Sequence, residues 1–193
     1  MMLHLPSIHR FVVRLTPALL ALLLIAGCTE PSQQASGSSA TTEASSSRAI
    51  PAEVAAVLAA HLPEAPAVAV GEVVSSVPEV GAEVVVTGYI GGRRDPFISG
   101  RSMFMLADIE KAPACADGCP IPWDACCTPR EVIAANSLTV RIATDAGEPL
   151  KTDINGMEGL VPGAQVTVAG LVRSNEGGVL LLDARALRVI DTQ

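Results

Sequence analysis

Histidine is nearly missing from this chain. Three occur in 193 residues, and only His61 stands beyond the first ten. That shortage removes multi-histidine metal binding and histidine-based catalysis from consideration. Aromatic residues make up 3% of the chain, and past the N-terminal segment they are Tyr89, Phe97, Phe104 and Trp123. Binding of single-stranded nucleic acid draws on stacked aromatics, so few platforms exist for it. Basic charge is also short, with thirteen Lys and Arg against twenty Asp and Glu. An acidic surface repels phosphate backbones, which makes a general nucleic-acid binder unexpected. Catalytic signatures are missing too: there is no G-x-S-x-G, no HExxH and no phosphate-binding glycine loop. A non-enzyme without a cofactor is expected.

What is present begins with a targeting pattern. Arg10 and Arg14 flank the start of an apolar run over residues 15–26. At about a dozen residues the run is short for a bilayer span and has the proportions of a secretory signal. It ends in Ile25-Ala26-Gly27-Cys28. This resembles the lipobox of bacterial lipoproteins. The resemblance implies cleavage before Cys28, acylation of Cys28, and export. Several acyl chains together give stable anchoring to the membrane. Thr29 stands where an aspartate would favour inner-membrane retention, so the outer membrane, facing the periplasm, is the expected address in a Gram-negative source. Residues 29–48 hold no aromatic and no large aliphatic side chain. They cannot bury enough apolar surface to offset ordering, and read as a flexible tether. Losing Arg10 and Arg14 with the signal leaves eleven basic residues against twenty acids, a balance of about −9.

The chain thus divides into a signal (1–27), a lipidated cysteine with its tether (28–48), a lead-in with a short helix (49–79), and a folded domain (80–193). The helix is expected from Pro51 onward, with Val54, Val57, Leu58 and Leu62 near one face. Beyond Val70 the apolar period changes to two. Residues 84–90 put Val84, Val86, Gly88 and Ile90 on one face, and Val85, Thr87 and Tyr89 on the other. Residues 102–109 alternate Phe104 and Leu106 against Met103 and Met105. Residues 137–144 and 164–173 repeat the pattern, and a long last strand follows the turn at Gly177-Gly178. Glycines inside two of these strands suit the bends that close a small barrel.

Val84, Val86, Gly88 and Ile90, then Phe104, Leu106 and Asp108, then Pro162, Gly163, Val166, Val168, Gly170 and Val172 together resemble an OB-fold. They are most similar to the anticodon-binding type of nucleic-acid OB domains. Residues 110–136, a disulfide-tied insertion between the second and third strands, and residues 145–163, polar and Gly-rich with at most a short or irregular helix, depart from the minimal pattern. The resemblance implies an all-β, five-stranded barrel. It also implies a ligand surface on the outer face of the second and third strands and the neighbouring loops. The outward residues there are Tyr89, Met103, Met105, Thr139 and Arg141. The loop after the first strand adds Arg93, Arg94, Phe97 and Arg101, the one basic concentration in an acidic domain. An anionic polymer or oligosaccharide held by these arginines is the alternative to a plain interaction module. Met103 and Met105 offer soft thioethers suited to Cu(I). Periplasmic copper-chaperone barrels are similar but add a histidine, which is missing here. Asp108, at the end of the second strand, is expected to satisfy backbone groups in a turn.

Four cysteines, Cys115, Cys119, Cys126 and Cys127, lie within thirteen residues. Exported cysteines persist as disulfides, so two are expected: 115–126 with 119–127, or 115–127 with 119–126. Metal binding by the same four thiols is the alternative. Its weakness is that C-x3-C followed by an adjacent pair departs from the usual zinc-knuckle spacing. A thioredoxin-like reading lacks its C-x-x-C. The stretch around Gly118–Cys127 is also similar to a segment of uncharacterised OB-like envelope lipoproteins. The whole reading is a monomeric, membrane-anchored envelope lipoprotein with a non-catalytic binding or interaction module. An envelope protein is its expected partner.

Overall fold

The computed structural model describes residues 49–115 and 118–191. The signal, the lipobox at Cys28 and the tether fall outside them. Helix α1 (Ala52–Ala59) starts after Pro51 and buries Val54, with Val57 and Leu58 packed on the same core. Strand β1 (Val68–Ala69) leads directly into α2 (Val70–Ser76). Five longer strands follow: β2 (Glu83–Ile90), β3 (Met103–Ala107), β4 (Ser137–Arg141), β5 (Gln165–Ser174) and β6 (Leu181–Asp191). Helix α3 (Arg130–Ala135) precedes β4.

The strands pair in the order β2-β3-β4-β6-β5, and β5 returns to β2, so the sheet closes. Only β4–β6 among these pairings is parallel. A closed five-stranded barrel with this order is an OB-type fold. Closure hides the edges that an open sheet would present to other chains.

Alternation placed the core correctly. Val86, Ile90, Phe104, Leu106, Leu138, Val140, Val166, Val168, Val172 and Leu182 all point inward and are buried. In β6 the register against β5 shifts between Ala169 and Gly170, whose partners are Ala186 and Ala184. That bulge lets Ala184 and then Leu187 both reach the core, which strict alternation would forbid.

One feature differs from the sequence expectation. The lead-in does not turn extended after Val70. It forms α2, which sends Val70 and Val73 into the barrel core. Residues 145–163, where OB-folds usually carry a helix, form successive turns, in keeping with their polar, Gly-rich sequence. They still supply Leu150, Ile154, Met157 and Leu160 to the core. Apolar spacing alone did not separate these cases, because a short buried segment reads the same as helix or loop.

Asp108 ties α2 to the barrel. Its carboxylate accepts the Gly71 amide at 2.7 Å and the amides of Glu110 and Lys111 at 2.9 Å each. Burial pushes this carboxyl up. The amides of Lys111, Gly71 and Glu110 and the Lys111 ammonium outweigh that and hold it below its ordinary range.

Candidate functional site

The insertion starts where β3 ends and folds back over the barrel. Tyr89 and Ala107 are paired neighbours on β2 and β3, on the sheet's outer side. Both are buried, and they form a small second core with Ala112, against which Ala114, Trp123 and Ile133 pack. The Tyr89 hydroxyl donates to the Ala112 carbonyl at 2.7 Å. Burial pushes its phenol well up, helped by the nearby Cys115, so it stays a neutral donor. Tyr89 was expected among the outward residues of a ligand surface. It is instead the peg on which the insertion sits.

Gly91 and Gly92 explain how the loop can come so close. The Gly92 amide donates to the Trp123 carbonyl at 2.8 Å. A Cβ on Gly91 would stand 2.6 Å from that same carbonyl oxygen, and Gly92 holds φ at +81°. Neither position tolerates a side chain without moving the insertion. The Trp123 indole N–H in turn donates to the Arg94 carbonyl at 2.9 Å. The insertion and the arginine loop are therefore stitched to each other.

The thiols gather on one side of this cap. A short 3-10 turn, Pro122–Asp124, ends at Ala125, which is fully buried with φ +49°. The Thr128 amide closes back on the Ala125 carbonyl at 2.9 Å. Cys126 and Cys127 occupy the two central positions of that turn. The adjacent pair was the weak point of a metal reading. Here the turn brings both to within 4.8 Å of the Cys115 sulfur. Cys126 Sγ lies 2.9 Å from Cys115 Sγ and 3.9 Å from Cys119 Sγ. The two expected disulfides are not formed: all four are free thiols, and none of these separations is a covalent S–S length. The hydrogen bond from Cys126 draws the Cys115 thiol down, with help from the amides of Cys127 and Cys126, while the same bond pushes Cys126 up.

Beside them lies a cleft of ≈ 700 Å³ lined by Arg93, Met105, Asp124, Cys126, Arg130 and Ile133, among others. It unites Arg93 and Met105 from the expected set. A neighbouring hollow of ≈ 320 Å³ takes Arg94, Phe97 and Trp123. Phe97 leans on the core, its ring centroid 5.8 Å from that of Phe104, and is no free platform. Arg101 and Met103 line neither space. Arg141, expected as an outward anion ligand, is buried and ion-paired with Asp183 on β6, and it also donates to the Gly147 carbonyl at 2.8 Å. Parity located its face but not this partner, which the β4–β6 pairing supplies. Arg130 and Asp124 escaped the sequence reading. The Pro129-Arg130 step was the available signal, since proline just before a helix start fixes where α3 begins.

Fold and cap define an OB-type barrel whose customary ligand face is roofed by a cysteine-bearing insertion. No family model and no curated protein matches the chain. Among solved structures it is similar to the hypothetical protein ygiW from E. coli, at 16% identity and a TM-score of 0.37. That likeness covers 66% of this chain and 94% of the other. The fold assignment rests on the closed strand order.

Proposed function

We propose that this chain is a monomeric, lipid-anchored protein of the cell envelope whose OB-type barrel is a non-catalytic interaction module. Cys28 carries the lipid, residues 29–48 give the domain reach, and the working surface is the roof built by residues 110–136 with the Arg93–Arg94 loop. The observation that carries this is the burial of Tyr89 and Ala107 beneath the insertion. A barrel that presented its bare sheet face to a ligand would not cover it. What remains outside is a composite rim of arginines, Trp123 and the cysteine turn, suited to contact with another protein.

Metabolic labelling with an alkyne fatty acid tests the anchor. The wild type is expected to take up label and fractionate with membranes, and Cys28→Ala to lose both. An unlabelled, released wild type would overturn the anchoring. Thermal-shift titration with a sulfated polysaccharide and with oligonucleotides tests the module. No shift is expected. A shift with either one that is abolished by Arg93→Ala and Arg94→Ala would replace the interaction reading with anion binding.

A further inference from the structure

We propose that Cys115, Cys119, Cys126 and Cys127 form a tetrathiolate site for a zinc ion that fastens the insertion to the barrel. Zinc bound by four thiolates at about 2.3 Å sets its sulfurs roughly 3.8 Å apart. Cys119 and Cys126 stand at 3.9 Å, and Cys115, Cys126 and Cys127 lie within 4.8 Å of one another. A disulfide uses one partner per sulfur at about 2.0 Å. Here Cys126 faces two sulfurs at once, Cys115 at 2.9 Å and Cys119 at 3.9 Å, neither of them at a covalent S–S length.

Local structure supports the convergence. The turn closed by Thr128 on Ala125 projects two consecutive thiols toward the Cys115 strand of the loop. Charge agrees as well. On binding, each thiol releases a proton to solvent and bonds the metal, leaving a centre of net charge −2. Arg93 and Arg130 line the same cleft as Cys126, with Asp124 as the opposing carboxylate among its lining residues. An all-sulfur tetrahedral set selects zinc over harder cations. It leaves no open position, so the site is structural rather than catalytic.

The test uses the full chain purified in detergent from the envelope of an exporting host, without added reductant, so that oxidation and metal binding can both occur. Elemental analysis is expected to find one zinc per chain. Alkylation after acid and chelator treatment should then count the four clustered thiols, and cobalt substituted for zinc should show the intense visible bands of a tetrahedral thiolate complex. Cys126→Ser should lose the metal while the circular dichroism of the barrel is kept, because the main core takes no side chain from residues 110–136. Cys119→His, which retains four donors, should keep it. A metal-free chain four hydrogens lighter than the reduced mass would overturn the proposal in favour of two disulfides. So would zinc that survives in Cys126→Ser. Copper(I) in place of zinc, lost in Met105→Ala, would overturn the choice of metal.

Discussion

The barrel and the insertion on its side solve the same problem with different means. Among the described residues, twenty-two buried side chains make up the barrel's main core, enough for burial to dominate its stability. Residues 110–136 fully bury only Ala112 and Ala125 among their described members. These two methyl groups and the partly buried Ala114, Trp123 and Ile133 offset little of the ordering of such a loop, so its position needs further fastening. Hydrogen bonds through Tyr89, Gly92 and Trp123 supply part, and a centre joining the sulfurs would supply the rest. The lesson is that a small roof on a well-packed barrel is a separately fastened part. It can be loosened without melting what it covers.

The comparison is broken most severely at the barrel. Phe104 is fully buried in β3. Phe104→Ala should cost about 3–5 kcal/mol through lost transfer energy and the cavity left behind. Urea unfolding followed by circular dichroism reads it, and a loss of well under 1 kcal/mol would mean that the core is looser than its packing implies.

Asp108 sits at the joint between the two regions, and its effect should be intermediate. Removing the carboxylate in Asp108→Ala orphans the Gly71, Glu110 and Lys111 amides, at about 1.5–3 kcal/mol for bonds to a charged group. Its folded value is lowered from 3.8. The ionised form therefore stabilises the fold above that pH, and the contribution is lost as pH falls through the lowered folded value. Stability measured against pH should show a steeper acid limb in the wild type than in Asp108→Ala. Equal limbs would remove Asp108 from the joint.

The smallest effect belongs to the roof. Tyr89→Phe keeps the ring but removes the bond to Ala112, at about 1 kcal/mol. Hydrogen exchange should quicken across residues 110–136 while the barrel amides keep their protection. Equal quickening of both would show one cooperative unit and end the distinction.

How far the residues alone reached follows the same division. The strands were legible because Val84, Val86, Phe104, Leu106, Leu138 and Val140 repeat with period two, and a half-buried sheet requires that period. Asp108 was legible as a turn acceptor from its position at a strand end. The helix at Val70–Ser76 was not, since three of its seven residues are valine, a β-favouring type, and only docking into the open barrel decided its form. The fates of Tyr89 and Arg141 were hidden as well. Both faces were read correctly, but what covers a face lies far away in sequence.

Sequence by itself determined the barrel, its strand faces, the acidic character of the domain and the crowding of four cysteines into one loop. Those properties are local, set by side-chain period and composition. Tertiary structure alone decided that the cysteine loop roofs the outer face of β2 and β3, that Tyr89 is its peg, and that both adjacent cysteines come within 4.8 Å of the Cys115 sulfur. These depend on a turn at a buried left-handed Ala125 and on two glycines that let backbones meet, neither of which any periodicity records.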